Sequence, residues 1–244
     1  MTAPLVRRFG VNTAGRDLLV GDIHGHFTKL QNALDAVAFS PAAGDRLFSV
    51  GDLVDRGPES ALVLDWLVRP WFYAVAGNHD TMAVMFDRGE LDARLYAQNG
   101  GAWLMGASQA KRSDFASELA RLPVAIELQT ASGMVGIVHA ECPRKTWPEF
   151  VAALEDPAKG QLERESLIAA AQWSRGRINI GWGDDVPGVR AVVVGHTPVQ
   201  RVTSLGNVIY IDTGAWLPGD RARPFTLLDA TTLRPAERPS ELQW

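Results

Sequence analysis

The sequence has very little cysteine, and this excludes disulfides as a means of holding the fold together. Cys142 is the only cysteine, so no disulfide can form within the chain. A chain without disulfides does not need an oxidising compartment. Arg7 and Arg8 are not followed by the apolar segment of a secretory signal peptide. We therefore expect a cytoplasmic protein.

Long hydrophobic runs and an excess of positive charge are also missing. The run from Ala61 to Val68 is interrupted by Asp65, and it is far shorter than the about 20 apolar residues that span a bilayer. The 24 basic residues are outnumbered by 28 acidic ones. Proteins that mainly hold nucleic acid neutralise phosphates with lysine and arginine, and this chain has no such surplus. Neither a membrane nor a nucleic acid is expected as a partner.

The first part of the chain repeats the order strand, polar loop, helix three times. Short apolar runs indicate the strands, and apolar residues at helical spacing indicate the helices. This alternation is typical of a layered α/β protein, in which ligands bind where the strands end. The predicted strands are 17–20, 46–50 and 71–76, and the helices that follow begin at 27, 61 and 81.

The rest of the chain predicts more helices and a second group of strands. Segments 124–128 and 134–138 are expected to pair as a β-hairpin. No linker or repeat is visible, so we expect a single domain over residues 1–244, with a core at about 15–230 and a loosely ordered tail after Thr232. The other predicted elements are helices at 91–97, at 114–122 with Ser113 as N-cap, and at 147–173 with a break near Pro157, a long loop at 174–187, and strands at 191–194, 208–211 and 225–228.

The few histidines are concentrated in the loops that end the predicted strands. The chain has only five, and four of them share these loops with aspartate, asparagine and arginine. Imidazole, carboxylate and amide ligands at one sheet edge suit a pair of transition-metal ions joined by a shared carboxylate. The loops carry Asp22 and His24; Asp52, Asp55 and Arg56; Asn78 and His79; His139; and His196.

The loop from Gly51 to Gly57 also predicts the charge of the substrate. It places two carboxylates and a guanidinium directly after an apolar strand. Two carboxylates about 4 Å apart repel by roughly 4 kcal/mol at an effective dielectric constant of about 20. Two divalent cations would reverse the sign of the site, and Arg56 would add to its positive charge. Such a site would attract a phosphate dianion.

Taken in order, the five loops resemble the motifs of the metallophosphoesterases, and among these the serine/threonine phosphoprotein phosphatases of the bacterial and phage lambda phosphatase type. The resemblance covers nearly all of residues 15–230. It implies an α/β fold, the calcineurin-like metallophosphoesterase sandwich, with two central mixed β-sheets flanked by helices. The matching segments are 21–25, 51–57, 77–80, His139 and 195–198, together with 99–101, 173–175 and 210–215.

The resemblance implies a role for each site residue. Two divalent metal ions are expected, manganese in the first place and iron or zinc as alternatives, and Asp52 would join them. A hydroxide between the ions would attack phosphorus directly, without a phosphoenzyme. The metal ligands would be Asp22, His24, Asp52, Asn78, His139 and His196.

The same resemblance assigns the remaining polar residues of the loops. His79 would be the general acid, and Asp55 would orient it. Arg56 and Arg175 would bind the phosphate oxygens. Arg175 and its neighbour Arg177 each have an alternative interpretation as a solvated charge in a loop.

Two departures from the family pattern leave the substrate open. His26 stands where relatives usually have cysteine, and Asp80 stands where the protein phosphatases usually have glutamate. Asp80 and Pro58 favour the similar symmetrical diadenosine tetraphosphate hydrolases, but those enzymes generally lack the acid at the position of Asp55. We therefore predict a serine/threonine protein phosphatase that acts on phosphoproteins or phosphopeptides. A dinucleotide polyphosphate hydrolase is the alternative, and a non-catalytic phosphate-binding protein is a third hypothesis.

Several other conspicuous residues are predicted to have structural roles. His26 is expected outside the set of metal ligands, and Asp80 is expected to be an acid at a helix N-terminus. Trp103 and Trp216 are assigned to the hydrophobic core. Tyr210 fits either the core or the wall of the site.

Overall fold

Two β-sheets that face each other form the centre of the computed structural model, which describes residues 4–237. No helix in this range is long and apolar enough to cross a membrane. The strands are β1 (Val6–Phe9), β2 (Asp17–Val20), β3 (Arg46–Ser49), β4 (Phe72–Ala74), β5 (Ala125–Thr130), β6 (Gly133–Val138), β7 (Ala191–Val194), β8 (Thr203–Leu205), β9 (Val208–Tyr210), β10 (Leu227–Asp229) and β11 (Arg234–Pro235). The α-helices are α1 (Phe27–Ala36), α2 (Val63–Leu67), α3 (Asn78–Asp87), α4 (Ala93–Gln98), α5 (Ala102–Met105), α6 (Gln109–Leu119), α7 (Trp147–Glu155), α8 (Gln161–Trp173) and α9 (Gly176–Ile180).

The five-stranded sheet contains the repeated strand, loop and helix. Its strand order is β11-β10-β2-β3-β4. Strands β2, β3 and β4 are parallel, with Leu18 opposite Leu47 and Leu47 opposite Phe72. Parallel strands end at the same edge of a sheet, so the three loops that follow them lie side by side. This confirms the predicted order of elements in the first part of the chain.

The six-stranded sheet brings the other two loops to a common edge. Its strand order is β1-β5-β6-β7-β9-β8, and the predicted hairpin of β5 and β6 is antiparallel as expected. Strands β6 and β7 are parallel, with Ile137 opposite Val193. The residues that follow these two strands, including His139 and His196, therefore leave the sheet on the same side.

Three hydrophobic clusters hold the layers together. In strand β2, Leu19 belongs to the cluster between the sheets, whereas Leu18 and Val20 belong to the cluster beneath the helices. This division follows from the alternation of side chains along a strand. A strand buried on both faces reads as a continuous apolar run, which is why β2 was recognisable in the sequence. The predicted α/β fold with two mixed sheets flanked by helices is confirmed.

The predicted start of one helix is wrong. Helix α6 begins at Gln109 rather than near Asp114, and the Ser108 hydroxyl accepts the Lys111 N–H at 3.4 Å as its N-cap. The Ser113 hydroxyl, predicted as the cap, instead donates to the Asp87 carboxylate from within the helix. The first turn of α6 is polar and solvent-facing, so it carries no apolar period that marks its start.

Four short elements are missing from the sequence prediction. Strands β1 and β8 lie at the two ends of the six-stranded sheet, and α9 lies inside the predicted loop 174–187. Strand β11 pairs with β10, with Arg234 opposite Asp229, so the chain directly after Thr232 is paired rather than loose. Residues 238–244 of the predicted tail lie outside the described residues.

Candidate active site

The Asp52 carboxylate lies between two histidines that come from different sheets. Its Oδ2 is 3.4 Å from Nε2 of His24, and its Oδ1 is 3.4 Å from Nε2 of His139. Oδ1 also accepts the backbone N–H of His79 at 2.9 Å. The side chains of Asp52, His24 and His139 are all buried. One carboxylate that presents an oxygen to each of two imidazoles has the arrangement expected of a ligand shared by two ions.

Asn78 lies between the other pair of histidines. Its Oδ1 is 2.9 Å from Nε2 of His139 and 2.9 Å from Nδ1 of His196. Asp22 completes the group, because both of its carboxylate oxygens accept the backbone N–H of His196 at 3.1 Å. The structure thus brings all six sequence-predicted ligands into one buried cluster.

In each histidine of this cluster, the ring nitrogen that faces away from the cluster donates to a backbone carbonyl. His24 and His139 donate from Nδ1 to the carbonyls of Val54 and Val50, at 2.9 and 2.8 Å. His196 donates from Nε2 to the Trp173 carbonyl at 3.2 Å. In a neutral imidazole the other nitrogen then keeps its lone pair, and in all three rings that nitrogen faces the cluster. Metal-binding histidines are oriented in this way.

Two observations show that these residues fit cations. Nε2 of His24 is buried and has no hydrogen-bond partner among residues 4–237. The Asn78 oxygen lies 2.9 Å from Nδ1 of the neutral His196 ring, and two such lone pairs repel unless a proton or a cation is shared between them. A buried, unpartnered imidazole nitrogen is costly, and a metal ion removes that cost.

Burial and the neighbouring charges also shift the pKa values of the residues in the cluster. Burial, together with the charges of Asp212 and Asp52, raises the pKa of Asp22 well above its usual range. Burial opposes ionisation of Asp52 as well, but the imidazoles of His139 and His79 hold its pKa well below the usual range. Burial lowers the pKa of His24, and it lowers that of His196 to about 3, so both rings are neutral. A divalent cation binds neutral imidazoles and ionised carboxylates, and it displaces any proton that such a ligand still carries.

The backbone at the site is bent into the left-handed region. Positive φ angles of 43°, 52°, 69°, 66° and 62° occur at His24, Asp52, Asp55, Arg56 and His196. Each such angle at a residue other than glycine costs on the order of 1–3 kcal/mol and persists only where the surroundings impose it. These bends turn the loops back toward the sheet edge, so the side chains converge above it.

Two glycines allow the carboxylates to approach the neighbouring strands. A Cβ on Gly77 would lie 2.2 Å from Oδ1 of Asp52, and one on Gly195 would lie 2.0 Å from Oδ1 of Asp22. Any larger residue would displace the ligand. The glycines that flank the motifs are therefore explained by contact as well as by turn formation.

His79 has a different environment from the other histidines. Its Nδ1 donates to Oδ2 of Asp55 at 2.9 Å, as predicted from the sequence resemblance. Two further donors hold Oδ1 of Asp55: the Tyr96 hydroxyl at 3.0 Å and Nε1 of Trp103 at 2.7 Å. The carboxylate is fixed on both oxygens, so it orients the imidazole firmly. Trp103 packs against the core as predicted, but its hydrogen bond to Asp55 was not predicted, and Tyr96 was not singled out at all.

The two arginines predicted to bind phosphate are both exposed at the edge of the cluster. Arg56 donates from Nη2 to Nε2 of His79 at 2.9 Å, and Arg175 donates from Nη2 to the His196 carbonyl at 3.3 Å. Arg177 is buried and donates to the carbonyls of Trp182 and Asp184. Arg177 is therefore a structural residue, and of this pair only Arg175 is free to meet a ligand.

Trp216 and Asp212 lie beside the cluster, although the sequence analysis gave neither of them a role there. The Trp216 ring packs edge-on against His24, with ring centres 4.6 Å apart, and its Nε1 donates to the Asp212 carboxylate at 3.2 Å. The assignment of Trp216 to the core is therefore wrong. Segment 210–215 resembles the family and contains Asp212, so it was the one signal that pointed here. Tyr210 itself lies in the cluster on the outer side of the six-stranded sheet.

The two residues that depart from the family pattern have supporting contacts. Asp80 is buried at the start of α3 and accepts the N–H groups of Leu53 and Gly77, each at 2.9 Å. It therefore ties two ligand-bearing loops together, and burial raises its pKa to about 7. Nδ1 of His26 lies 2.7 Å from the His24 carbonyl, which leaves this ring outside the cluster.

Comparison with known proteins defines the class to which this site belongs. Residues 16–200 match the family described as calcineurin-like phosphoesterase. The match covers most of the chain, so the protein belongs to this family, and the predicted resemblance is confirmed. The family match, together with relatives that are named as phosphatases, identifies the protein as a hydrolase that acts on phosphate esters.

Two relatives in sequence and one solved structure carry three different names. A Salmonella typhimurium protein named serine/threonine-protein phosphatase 1 is 35 % identical over 204 residues, which cover 82 % of this chain and 87 % of that protein. A symmetrical bis(5'-nucleosyl)-tetraphosphatase of Paracidovorax citrulli is 34 % identical over 197 residues, which cover 78 % of this chain and 68 % of that protein. A cold-active protein-tyrosine phosphatase of a Shewanella species shares the fold, with a TM-score of 0.62, 18 % identity, and coverage of 95 % of this chain and 79 % of the other.

Proposed function

We propose that this protein is a metal-dependent serine/threonine protein phosphatase that hydrolyses phosphomonoesters on proteins or peptides. The observation that carries the proposal is the pairing of Asp55 with His79 at the edge of the metal-ligand cluster. An alkoxide of serine or threonine is a poor leaving group, so its departure benefits from a positioned acid. The Salmonella relative covers more than four fifths of the chain and carries a serine/threonine phosphatase name, which supports the same substrate class.

Two divalent metal ions fit the buried cluster, and we expect manganese, with iron or zinc suited to the same ligands. We assign Asp22 and His24 to the first ion, Asn78, His139 and His196 to the second, and Asp52 to both. When bound, such ions lower the pKa of water to supply a nucleophile at neutral pH, and they offset the charge of the phosphate. The ligands come from both sheets, so we treat the chain as one functional domain.

The chain's own residues bind the phosphate and protonate the leaving oxygen. Arg56 and Arg175 donate to the phosphate oxygens, because a guanidinium matches their geometry and charge. Arg56 at present donates to Nε2 of His79. When Nη2 of Arg56 donates to a phosphate oxygen instead, Nε2 becomes free to carry the proton that the leaving oxygen receives. Asp55 keeps the ring in the orientation for this transfer.

A symmetrical dinucleotide tetraphosphatase is the second candidate. Asp80 and Pro58 favour it, and so does the relative from Paracidovorax citrulli. The leaving group of that reaction is a phosphate oxygen, which leaves with less need of a proton than an alkoxide does. The Asp55 and His79 pair would then contribute much less to turnover.

A direct comparison of two substrates tests the proposal. The manganese-loaded protein is assayed with a phosphoserine peptide and with diadenosine tetraphosphate, each alone and in competition. We expect the larger kcat/KM for the peptide. A larger kcat/KM for the dinucleotide would transfer the assignment to the second candidate. Absence of turnover with every phosphate ester would instead support a non-catalytic phosphate-binding protein.

A further inference from the structure

Arg56 is held by an aromatic face rather than by a carboxylate. Its Cζ lies 4.2 Å from the centre of the Trp216 ring, and its Nη2 donates to Nε2 of His79. The salt bridges formed among residues 4–237 do not include Arg56. The contact with Trp216 and the hydrogen bond to His79 therefore restrain an otherwise exposed side chain.

The Trp216 indole is itself fixed by the metal-ligand cluster. Nε1 donates to both oxygens of Asp212, at 3.2 and 3.3 Å, and the ring edge contacts His24. Asp212 is buried and also accepts the Gly214 N–H at 2.9 Å. One side chain thus connects a proposed metal ligand, a buried carboxylate and the proposed phosphate arginine.

We propose that Trp216 is a positioning residue that holds the Arg56 guanidinium in place for phosphate. This inference rests on the proposed function, in which Arg56 binds the phosphate. A carboxylate partner would neutralise the guanidinium and occupy its N–H groups, whereas a ring face restrains it without using any of its donors. A side chain that is already restrained also loses less conformational entropy when the ligand binds.

Calorimetric titration of the manganese-loaded protein with inorganic phosphate tests this role without depending on turnover. Trp216→Leu removes the ring face and should weaken phosphate binding by about three- to ten-fold. Trp216→Phe keeps a ring face but loses the indole N–H, and its phosphate affinity should stay within about two-fold of the wild type. If Phe weakens binding as much as Leu, the ring face is not the restraint and the proposal is wrong.

A matched substitution controls for loss of packing. Trp71 lies before β4, at the end of that strand opposite the site, and Arg69 stacks on it with Cζ 5.2 Å from the ring centre. Trp71→Leu removes the same kind of contact elsewhere and should lower the melting temperature without changing phosphate affinity. A loss of phosphate affinity in this control equal to that of Trp216→Leu would attribute the effect to destabilisation.

A double-mutant cycle with Arg56→Ala decides whether Trp216 acts through Arg56. In the Arg56→Ala background, Trp216→Leu should change phosphate affinity by less than about two-fold. An equal loss in both backgrounds would overturn the proposal, and so would wild-type affinity in the single Trp216→Leu variant.

Elemental analysis verifies that the variants contain equal amounts of manganese, because Trp216 also contacts His24. If Trp216→Leu does not fold, Trp216→Met takes its place in the cycle. Failure of the wild type to hydrolyse any ester would refute only the proposed function.

Discussion

At the residue scale, the histidines of the site fall into two groups according to what their outward nitrogen contacts. In His24, His139 and His196 that nitrogen meets a backbone carbonyl, so the ring presents a lone pair to the cluster. In His79 it meets the Asp55 carboxylate. The first arrangement suits binding a cation and the second suits moving a proton.

This difference leads to a prediction for His79→Asn. The variant should lose activity toward phosphoserine by about 10²–10⁴-fold, since the leaving alkoxide then has no proton donor. Activity toward nitrophenyl phosphate should fall much less, because nitrophenolate leaves without a proton. Steady-state assays at saturating manganese measure both values. Equal losses on the two substrates would contradict the role of His79 as general acid.

Protonation of the ligands predicts how manganese affinity depends on pH. Burial raises the pKa of Asp22, and the Asp52 carboxylate raises that of His139 against the effect of burial. A cation must displace the protons that these two groups hold, whereas His24 and His196 are neutral already. Affinity should therefore fall as the pH is lowered through the range in which Asp22 and His139 take up protons, by up to about ten-fold per pH unit for each proton released.

Calorimetry in two buffers of different ionisation enthalpy measures both the affinity and the protons released. Manganese binding that is independent of pH and releases no protons would show that Asp22 and His139 are already ionised and neutral, respectively. The Asp22→Asn variant serves as the control, because one of the two proton-release steps is then missing.

Sequence reasoning found the residues whose function can be inferred from a short local motif. Asp55 and His79 are of this kind. Tyr96 and Trp103 are not, because they lie 41 and 48 positions from the Asp55 carboxylate that they contact. A tryptophan in the core and one that donates to a buried carboxylate look alike in sequence, since only the fold decides what lies next to the indole N–H.

At the scale of elements, the site depends on how closely the ends of neighbouring strands approach each other. Gly195 follows β7 and faces the Asp22 carboxylate after β2, with no room between them for a methyl group. The two strands belong to different sheets. The contact therefore sets the spacing of the two sheets at the edge where the ligands gather.

Gly195→Ala tests this spacing. Its Cβ would lie 2.0 Å from Oδ1 of Asp22, so the carboxylate must move, and we expect a loss of bound manganese and of activity. Gly106→Ala is the matched control, because a Cβ there meets nothing within 4 Å. Elemental analysis and thermal melting compare the two variants. Normal manganese content in Gly195→Ala would show that Asp22 adjusts without cost to the site.

The elements that could be predicted are those buried on both faces. Strand β7 is apolar throughout, and β2 and β3 each contain consecutive apolar residues, Leu18–Val20 and Leu47–Phe48, that are buried on both faces. Edge strand β1 contains the exposed Arg7 and Arg8 and becomes a strand only because it pairs with β5. Its existence is a property of the sheet rather than of its own four residues.

At the scale of the whole molecule, the proposed metal ligands come from both sheets. Asp22, Asp52 and Asn78 follow strands of the five-stranded sheet, whereas His139 and His196 follow strands of the six-stranded one. Bound cations would therefore join the sheets directly. Without them, the buried carboxylates repel one another at the same place.

Manganese should consequently raise the melting temperature, and a chelator should lower it. At a free metal concentration of about 100 times the dissociation constant, binding adds about 2.7 kcal/mol to the free energy of unfolding for one site. Asp52→Asn should abolish turnover and remove most of this stabilisation, because Asp52 contacts ligands of both proposed ions. Scanning calorimetry with and without chelator measures the effect. An undiminished shift in the variant would contradict the shared role of Asp52.

The division of the proposed ligands between the two sheets also determines when the complete site can form during synthesis of the chain. A ribosome makes Asp22, Asp52 and Asn78 early, and His196 follows Asn78 by 118 positions. At about 5–20 residues per second, that interval lasts roughly 6–24 s. His139 follows Asn78 by 61 positions, so the growing chain carries Asp22, His24 and Asp52 before either imidazole of the six-stranded sheet has been made. If both proposed ions need all six ligands, the complete centre can form only after residue 196 has been made, and a chain that stops before it would lack a ligand of the second ion.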